Sequence, residues 1–166
     1  MDYEFRQAVL ADAEEVVKLF HIAVSHMVDH EIYQWDEIYP DEEVLTGDIC
    51  NEEMYLLVHD GQISACVVIN EDQDEAYDTA PWHYRGGKIA VIHRLCVTPA
   101  VQGAGNGRLT MQYAEGLIKD LGYSSIRLDT FSDNHIARSL YEKLGYSYVG
   151  IVTFRKGLFC LLEKKL

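Results

Sequence analysis

The chain of 166 residues is 48% hydrophobic and 25% charged, a globular composition that excludes a disordered, collagen-like or coiled-coil protein and predicts a single domain over residues 1–166. Its net charge of −13 excludes general nucleic-acid binding, because phosphate neutralisation needs a basic surface. No apolar run approaches the roughly 18 residues of a membrane span, and the acidic N-terminal residues are unlike a secretory signal, so we expect a cytosolic protein with no membrane partner. Four dispersed cysteines without a CxxC pair predict reduced thiols.

Hydrophobic periodicity and turn residues predict an α/β fold. The elements in chain order are a strand over 3–9, a helix over 12–30, a short helix over 41–51, strands over 54–59 and 63–70, a loop over 71–87, a strand over 88–97, a helix carrying Leu109 to Leu121, a strand over 123–131, a helix carrying Ile136 to Leu144, and strands over 146–154 and 158–166. Asp12 is placed to cap the first helix, and the strand over 88–97 is expected at the centre of the sheet. The order β-α-α-β-β-β-α-β-α-β-β predicts a mixed, mostly antiparallel sheet of about seven strands with helices on both faces.

The charges are unevenly distributed along the chain. Residues 1–83 hold 21 acidic and two basic side chains, whereas residues 84–166 hold six acidic and 12 basic ones. This distribution suits an anionic partner on the C-terminal half and a cationic partner near the N-terminal half, although a solvated acidic surface explains it too.

A glycine-rich loop joins the expected central strand to the following helix, with Gly103, Gly105 and Gly107 within five residues. Glycines let the backbone turn tightly and direct N–H groups at an anion near the positive end of a helix, so we predict a diphosphate site. The lack of Lys-Ser/Thr after the loop disfavours a P-loop hydrolase. The glycine spacing also departs from the GxGxxG of dinucleotide sites, but Asp129 is placed where a ribose-binding acid would lie, so an NAD(P)-dependent oxidoreductase remains an alternative.

Two motifs occur together in the second half of the chain. The first is Gln102-x-x-Gly105-x-Gly107 after a strand ending Leu95-Cys96-Val97-x-Pro99, and the second is Asn134-x-x-Ala137-x-x-Leu140-Tyr141-Glu142-Lys143-Leu144-Gly145-Tyr146. Together they resemble the GCN5-related N-acetyltransferase (GNAT) superfamily, specifically over residues 88–150 and in element order over the whole chain.

The resemblance implies acetyl-CoA as the donor. Backbone amides of residues 103–108 would hold its diphosphate, and its pantetheine arm would pair with Leu95 and Val97 where the central strand separates from its neighbour. Ala104 and Gln102 are uncharged where the family's loop is often more basic, so Arg108 is the only local cation. The implied cofactor-binding residues are Leu95, Cys96, Val97, Gln102, Gly103, Ala104, Gly105, Asn106, Gly107, Arg108, Asn134, Ala137 and Tyr141.

Acetyl transfer to an amine requires a neutral amine, a stabilised oxyanion and a proton for the leaving thiolate. Tyr141 occupies the family's usual position for the general acid, and the resemblance implies the N–H of Val97 as the oxyanion donor. Strand alternation predicts that Val91, His93, Leu95 and Val97 share one face. Some family members carry glutamate at the position of Val91, so His93 becomes the candidate base, with a water chain as the alternative.

In this superfamily the segment after the first helix commonly forms a wall of the acceptor site. Here it is aromatic and rich in carboxylates, which suits a cationic amine. The residues predicted to contact the acceptor are Tyr33, Trp35, Tyr39 and Trp82, although a hydrophobic cluster explains them equally well.

We favour a small-molecule or amino-acid amine as the acceptor, with a protein N-terminus or lysine as an alternative. An acyl-CoA-binding sensor without turnover is a further alternative from another functional class, and a homodimer is common in similar proteins. His26 and His30 have metal-ligand spacing on a helix, but no third ligand accompanies them, so no metal is expected.

Overall fold

The computed structural model describes residues 2–166, which form one seven-stranded sheet and four helices. The strands are β1 (Tyr3–Gln7), β2 (Met54–His59), β3 (Gln62–Asn70), β4 (Ile89–Val97), β5 (Ser125–Phe131), β6 (Ser147–Phe154) and β7 (Gly157–Lys165). The helices are α1 (Ala13–Asp29), α2 (Glu42–Cys50), α3 (Asn106–Asp120) and α4 (His135–Lys143). Within residues 2–166, none of the helices combines the length and apolar character that crossing a bilayer requires.

The strand order is β1-β2-β3-β4-β5-β7-β6, which places β4 at the centre, as predicted. Every neighbouring pair is antiparallel except β4 and β5, which run parallel. The parallel pair follows from α3, because a helical crossover returns the chain to the same end of the sheet. The predicted α/β class and the mixed, mostly antiparallel sheet are therefore confirmed.

Helices cover both faces of the sheet, and alternation along β3 shows how the two faces are separated. Cys66 and Val68 pack in the cluster that contains the buried residues of α1 and α2. The alternate residues Val67 and Ile69 pack in the cluster formed with α3 and α4. All four side chains are buried, as expected for a strand with helices on both faces.

Asp12 precedes α1 as predicted, but its carboxylate makes no helix-capping hydrogen bond to α1. It accepts instead from Arg6 Nη1 and Nη2, both at 2.8 Å, and from the N–H of Val9, also at 2.8 Å. The side chain therefore ties β1 to the turn before α1, a contact that the local sequence pattern did not indicate.

A β-bulge in β4 overturns the predicted alternation of its side chains. Cys66 pairs with Cys96 and Val68 with His93, so one extra residue lies in β4, and Arg94 has a φ of 50°. Such a bulge exchanges the faces for all residues beyond it. Leu95 consequently packs with the α3 and α4 cluster, whereas Cys96 packs with the α1 and α2 cluster. The prediction that Val91, His93, Leu95 and Val97 share one face is wrong.

Candidate active site

A cavity of about 730 Å³ opens where β4 and β5 separate. The two strands pair only from Ile89 opposite Ser125 to Val91 opposite Arg127, although both continue beyond these residues. The diverging ends, the glycine loop, the first turns of α3 and α4, and part of α1 line the cavity. The predicted separation of the central strand from its neighbour is therefore present in the structure.

The glycine loop adopts a backbone that other residues rarely adopt. Gly103 has a φ of 81° and Gly105, immediately before α3, a φ of 87°. A Cβ atom at either position would meet no atom of residues 2–166 within 4 Å, so this side of the loop is open. At Gly107 a Cβ would lie 3.4 Å from Val97 Cγ2 and from Leu140 Cδ2, which shows how closely α3 approaches β4 and α4.

The loop is also braced by its own polar side chains. Gln102 Nε2 donates to the carbonyl of Val97 at 3.2 Å, and Asn106 Nδ2 donates to the carbonyl of Val101 at 3.2 Å. Asn106 is buried, whereas Arg108 is exposed and lines the cavity. The predicted loop residues lie on the cavity wall with the exception of Ala104, which is exposed and is not among the lining residues.

The edge of β4 beyond the separation presents main-chain groups to the cavity. The N–H of Thr98 donates to the carbonyl of Ser64 in β3 at 2.9 Å. Because successive N–H groups of a strand point in opposite directions, the N–H of Val97 points away from β3, towards the side from which β5 has diverged. Leu95, Cys96 and Val97 all line the cavity.

Tyr141 and Asn134 lie on the opposite wall, in and just before α4. Tyr141 is 6% exposed, packs 5.7 Å from the ring of Tyr146, and lines the cavity. Burial and the nearby Asp129 raise the pKa of Tyr141 well above 10, so its hydroxyl stays protonated at neutral pH. Asn134 accepts from the N–H of Ala137 at 3.1 Å as the cap of α4 and donates to Gln34 Oε1 at 2.8 Å.

His93 lines the cavity from the α1 and α2 side of the sheet, before the bulge. Its Nε2 lies 2.7 Å from Oδ1 of Asn70. Burial, and next the charge of Arg94, lower the pKa of His93 to about 4. The imidazole is therefore neutral at physiological pH and a weaker proton acceptor than an exposed histidine.

The four aromatic residues predicted to contact the acceptor do not lie together. Trp35 is buried against Phe20 and lines the cavity. Tyr33 and Tyr39 are exposed and are not among the lining residues. Trp82 is 4% exposed in a third hydrophobic cluster and donates from Nε1 to the carbonyl of Tyr77 at 2.8 Å. Of these four side chains only Trp35 reaches the cavity.

Two carboxylates of the same segment, Asp36 and Asp41, are occupied by contacts within the protein. Asp36 accepts from Arg155 Nη1 and Nη2, both at 2.9 Å, and from Lys156 Nζ at 3.3 Å. Asp41 caps α2 by accepting from the N–H of Val44 at 2.9 Å. These bonds fix the segment between α1 and α2 against the β6–β7 hairpin and α2.

A second set of ionic contacts fixes the bulge of β4. Arg94 Nε and Nη2 donate to the two carboxylate oxygens of Asp48 at 2.8 and 2.6 Å, and Nη1 donates to Tyr39 Oη at 2.6 Å. A bidentate arginine–carboxylate pair is directional and holds both partners in place. The unusual backbone of Arg94 is thus stabilised by α2 and by the segment that precedes it.

Sequence reasoning missed a pair of polar residues at the cavity. Tyr77, in a short 3₁₀ turn of the loop between β3 and β4, donates from its hydroxyl to Oδ2 of Asp129 at 2.6 Å. Asp129, in β5, lines the cavity. Its position in the chain indicated only a ribose-binding acid of a dinucleotide site. One available signal was the single carboxylate within the strand β5, between Leu128 and Thr130.

His26 and His30 line the cavity, and their ring centroids are 4.3 Å apart. His30 Nδ1 lies 2.7 Å from the carbonyl of His26. Within residues 2–166, no group of three or more histidine, cysteine, aspartate or glutamate side chains is placed to bind one metal ion.

Comparison with known proteins assigns the fold and the family. The sequence model of the acetyltransferase (GNAT) family matches residues 17–146. An uncharacterised N-acetyltransferase of Bacillus subtilis (strain 168), YesJ, is 27% identical over 146 residues, covering 86% of this chain and 81% of its own. A GNAT-family acetyltransferase structure from Streptococcus agalactiae has a TM-score of 0.84 at 22% identity, covering 99% of this chain and 95% of its own.

A PaiA N-acetyltransferase from Thermoplasma acidophilum, solved in complex with coenzyme A, has a TM-score of 0.74 at 18% identity and covers all of both chains. At these identities the two structural likenesses establish the fold. The family match extends over far more than half of the sequence and includes both the glycine loop and the Asn134–Tyr141 motif. The chain therefore belongs to the acetyltransferase (GNAT) family and is an acetyl-CoA-dependent N-acetyltransferase.

Proposed function

We propose that the protein transfers the acetyl group of acetyl-CoA directly to a primary amine, with both substrates bound at once, and that small-molecule or amino-acid amines are its acceptors. The observation that carries this proposal is the separation of β4 from β5 beside a glycine loop, which creates one cavity that extends from α3 to Tyr141. Holding two reactants together in such a cavity contributes roughly 7–11 kcal/mol to catalysis.

The residues of the loop fit the diphosphate of the donor. The positive φ angles of Gly103 and Gly105 leave the loop open where an anion would approach the N-terminus of α3. Arg108 in the first turn of α3 and Lys143 in α4 add positive charge to the same cavity. The main-chain edge at Leu95 to Val97, which does not pair with β5, provides hydrogen bonds for an extended arm, in the way that a strand is added to a sheet.

Tyr141 is the general acid in this proposal. The thioester supplies the acetyl group, and its sulfur needs a proton as it leaves. The raised pKa of Tyr141 keeps the hydroxyl protonated, and its place on the cavity wall gives it access to the donor. The N–H of Val97, which points into the separation between the strands, donates to the developing oxyanion.

Small acceptors are favoured by the way the cavity is enclosed. The segment between α1 and α2 is fixed by the ion pairs of Asp36 with Arg155 and Lys156. Gln34 in that segment reaches across to Asn134 at the start of α4. These contacts link the segment between α1 and α2 to α4 and to the β6–β7 hairpin, and this bracing supports the proposal of a small acceptor.

We also propose a cytosolic location for the enzyme. Its four cysteines are all free, and three of them are buried. Unpaired thiols are typical of proteins in reducing compartments.

Release of coenzyme A thiol, measured against a panel of primary amines, amino acids and peptides, tests the proposed reaction. We expect thiol release that depends on a small amine. Coenzyme A binding without thiol release for any amine or peptide would favour a sensor, and release with peptides alone would favour a protein acetyltransferase. Thermal stabilisation by NAD(P)H and none by coenzyme A would contradict donor binding.

Tyr146, whose ring packs on that of Tyr141, provides a matched control for testing Tyr141 as the general acid. Tyr141→Phe is expected to lower kcat by about 10²–10⁴-fold, the usual contribution of a general acid. Tyr146→Phe removes a buried hydroxyl from a ring that packs on Tyr141 but does not line this cavity, and it should leave kcat nearly unchanged. Equal turnover numbers for wild type and Tyr141→Phe, once chemistry is shown to limit the rate, would remove Tyr141 as the acid.

A further inference from the structure

Asp129 is the one acidic side chain that lines the cavity within residues 2–166. It lies in β5 beyond Arg127, the last residue of that strand to pair with β4. Asp129 is therefore on the part of β5 that has diverged from β4, and it lines the same cavity as Leu95 and Val97. Tyr141, the proposed acid, is close enough for the charge of Asp129 to raise its pKa.

One oxygen of this carboxylate is held by the protein and the other is available. Tyr77 donates to Oδ2 at 2.6 Å. No donor among residues 2–166 forms a hydrogen bond to Oδ1. The Tyr77 hydroxyl comes from the loop between β3 and β4, whose neighbouring Trp82 and Tyr77 rings pack 5.2 Å apart. The Tyr77 hydrogen bond thus holds one oxygen of a carboxylate that lines the cavity and leaves the other without a donor from residues 2–166.

Two carboxylates of the neighbouring segments, Asp48 and Asp36, are paired with cations. Asp48 receives both donors of Arg94, and Asp36 is held by Arg155 and Lys156. Asp129, the acidic residue of the cavity lining among residues 2–166, forms no salt bridge there and is available to a cationic acceptor.

We infer that Asp129 binds the ammonium group of the acceptor and takes its first proton, and that Tyr77 is a positioning residue for this carboxylate. The inference rests on the proposed acetyl transfer and assigns to a carboxylate of β5 the base role that the sequence suggested for His93. It also defines the acceptor class as amines that are cationic at neutral pH.

The protons of the reaction balance in this arrangement. The ammonium donates one proton to Oδ1 of Asp129, and the freed lone pair of nitrogen forms the bond to the acetyl carbon. As the C–S bond breaks, its electron pair leaves with sulfur, which takes the hydroxyl proton of Tyr141. The second proton lost by nitrogen restores the Tyr141 hydroxyl, and Asp129 releases its proton to water. One proton is released in each turnover.

Several charged or titratable groups surround this carboxylate. Tyr77 and Asp74 face it from the loop, Arg94 from β4 and Tyr141 from α4. Burial raises the pKa of Asp129, and the Tyr77 hydrogen bond opposes that rise in part. The result is a better proton acceptor than an exposed aspartate. His93, by contrast, has a pKa lowered to about 4 and an Nε2 engaged with Asn70.

Asp129→Asn tests the inference, because asparagine keeps an oxygen for Tyr77 but loses the charge and the proton-accepting oxygen. For an alkylamine at pH 7 we expect kcat/KM to fall about 10²–10⁴-fold, with the deficit shrinking as the pH approaches the pKa of the amine, about 10.4. For an arylamine, which is neutral at pH 7, the deficit should be small. Calorimetry without coenzyme should show weaker binding of the alkylammonium ion to the variant.

Asp133→Asn is the matched control, since it removes the same charge from an exposed residue outside the cavity lining. It should change neither the kinetics nor the binding. If Asp129→Asn fails to fold, Tyr77→Phe replaces it. Loss of that hydrogen bond raises the pKa of the carboxylate, so the acidic limb of the pH profile should move to higher pH.

Equal losses with the alkylamine and the arylamine, unchanged alkylammonium binding, or an unmoved limb in Tyr77→Phe would each overturn the inference. If the wild-type enzyme releases no thiol with any of the amines tested, the proposed function itself is overturned. Wild-type activity together with full activity of Asp129→Asn would leave the proposed function standing and remove Asp129 from it.

Discussion

Gly105 and Gly122 lie at opposite ends of α3 and provide a matched test of the donor site. Both have left-handed backbone conformations, with φ values of 87° and 85°. A Cβ atom at either position would meet nothing within 4 Å among residues 2–166. Only Gly105 lines the cavity. Alanine at the two positions therefore imposes the same backbone strain, but at only one of them does the methyl group lie where an anion is proposed to bind.

The strain of placing an L-residue in this conformation is about 1–2 kcal/mol. Both Gly105→Ala and Gly122→Ala should lose this amount from the free energy of unfolding. For a chain of this size the loss corresponds to a fall in Tm of about 2–8 °C. Thermal unfolding without ligand measures it, and similar falls for the two variants would show that the strain is matched.

Affinity for coenzyme A should separate the two variants. At Gly105 the methyl group displaces the diphosphate from the loop and weakens at least one hydrogen bond to a charged group, worth about 1.5–3 kcal/mol. Calorimetry should show a Kd raised about 10- to 100-fold for Gly105→Ala and little changed for Gly122→Ala. Equal affinity of both variants and the wild type for coenzyme A would refute the proposed diphosphate-binding site.

Two further predictions concern charged groups beside the cavity. The hydrogen bond from Arg155 holds the pKa of Asp36 well below its usual range, so the stabilisation is present above about pH 4 and is lost as the pH falls below it. Asp36→Asn should lower the midpoint of urea unfolding more at pH 7 than at pH 2, where part of the stabilisation has been lost, and equal shifts at both pH values would contradict this pairing. Because the pKa of His93 is lowered to about 4, His93→Gln should leave the shape of the rate profile unchanged between pH 6 and 8. A limb near the usual histidine pKa of about 6.5 that disappears in the variant would show that His93 titrates in that range.

Local patterns in the sequence were sufficient for the elements and for the backbone of the glycine loop. The period of apolar residues and the Asp60-Gly61 turn predicted strands and helices close to those observed. Gly103, Gly105 and Gly107 predicted a tight turn before α3, and Gly103 and Gly105 do have positive φ, a backbone that glycine adopts without strain.

Local sequence patterns could not predict contacts between residues that are distant in the chain. Tyr77 and Asp129 are far apart in the chain and meet only because the loop between β3 and β4 folds back on β5. The acidic segment after α1 suggested free carboxylates for a cation, but Arg155 and Lys156 arrive from the other end of the chain and pair with Asp36. No local signal reports whether a distant cation will neutralise a carboxylate.

The sequence by itself determined the order of the elements, their periodicity and the glycine loop, because each depends on residues within a few positions of one another. The tertiary structure alone decided which side chains face the cavity. One extra residue at Arg94 reverses the faces of β4 beyond it, and the Asp48 and Tyr39 side chains that hold this bulge come from other parts of the chain. A single-residue change of register exchanges the two faces of a strand, and long-range packing fixes that register.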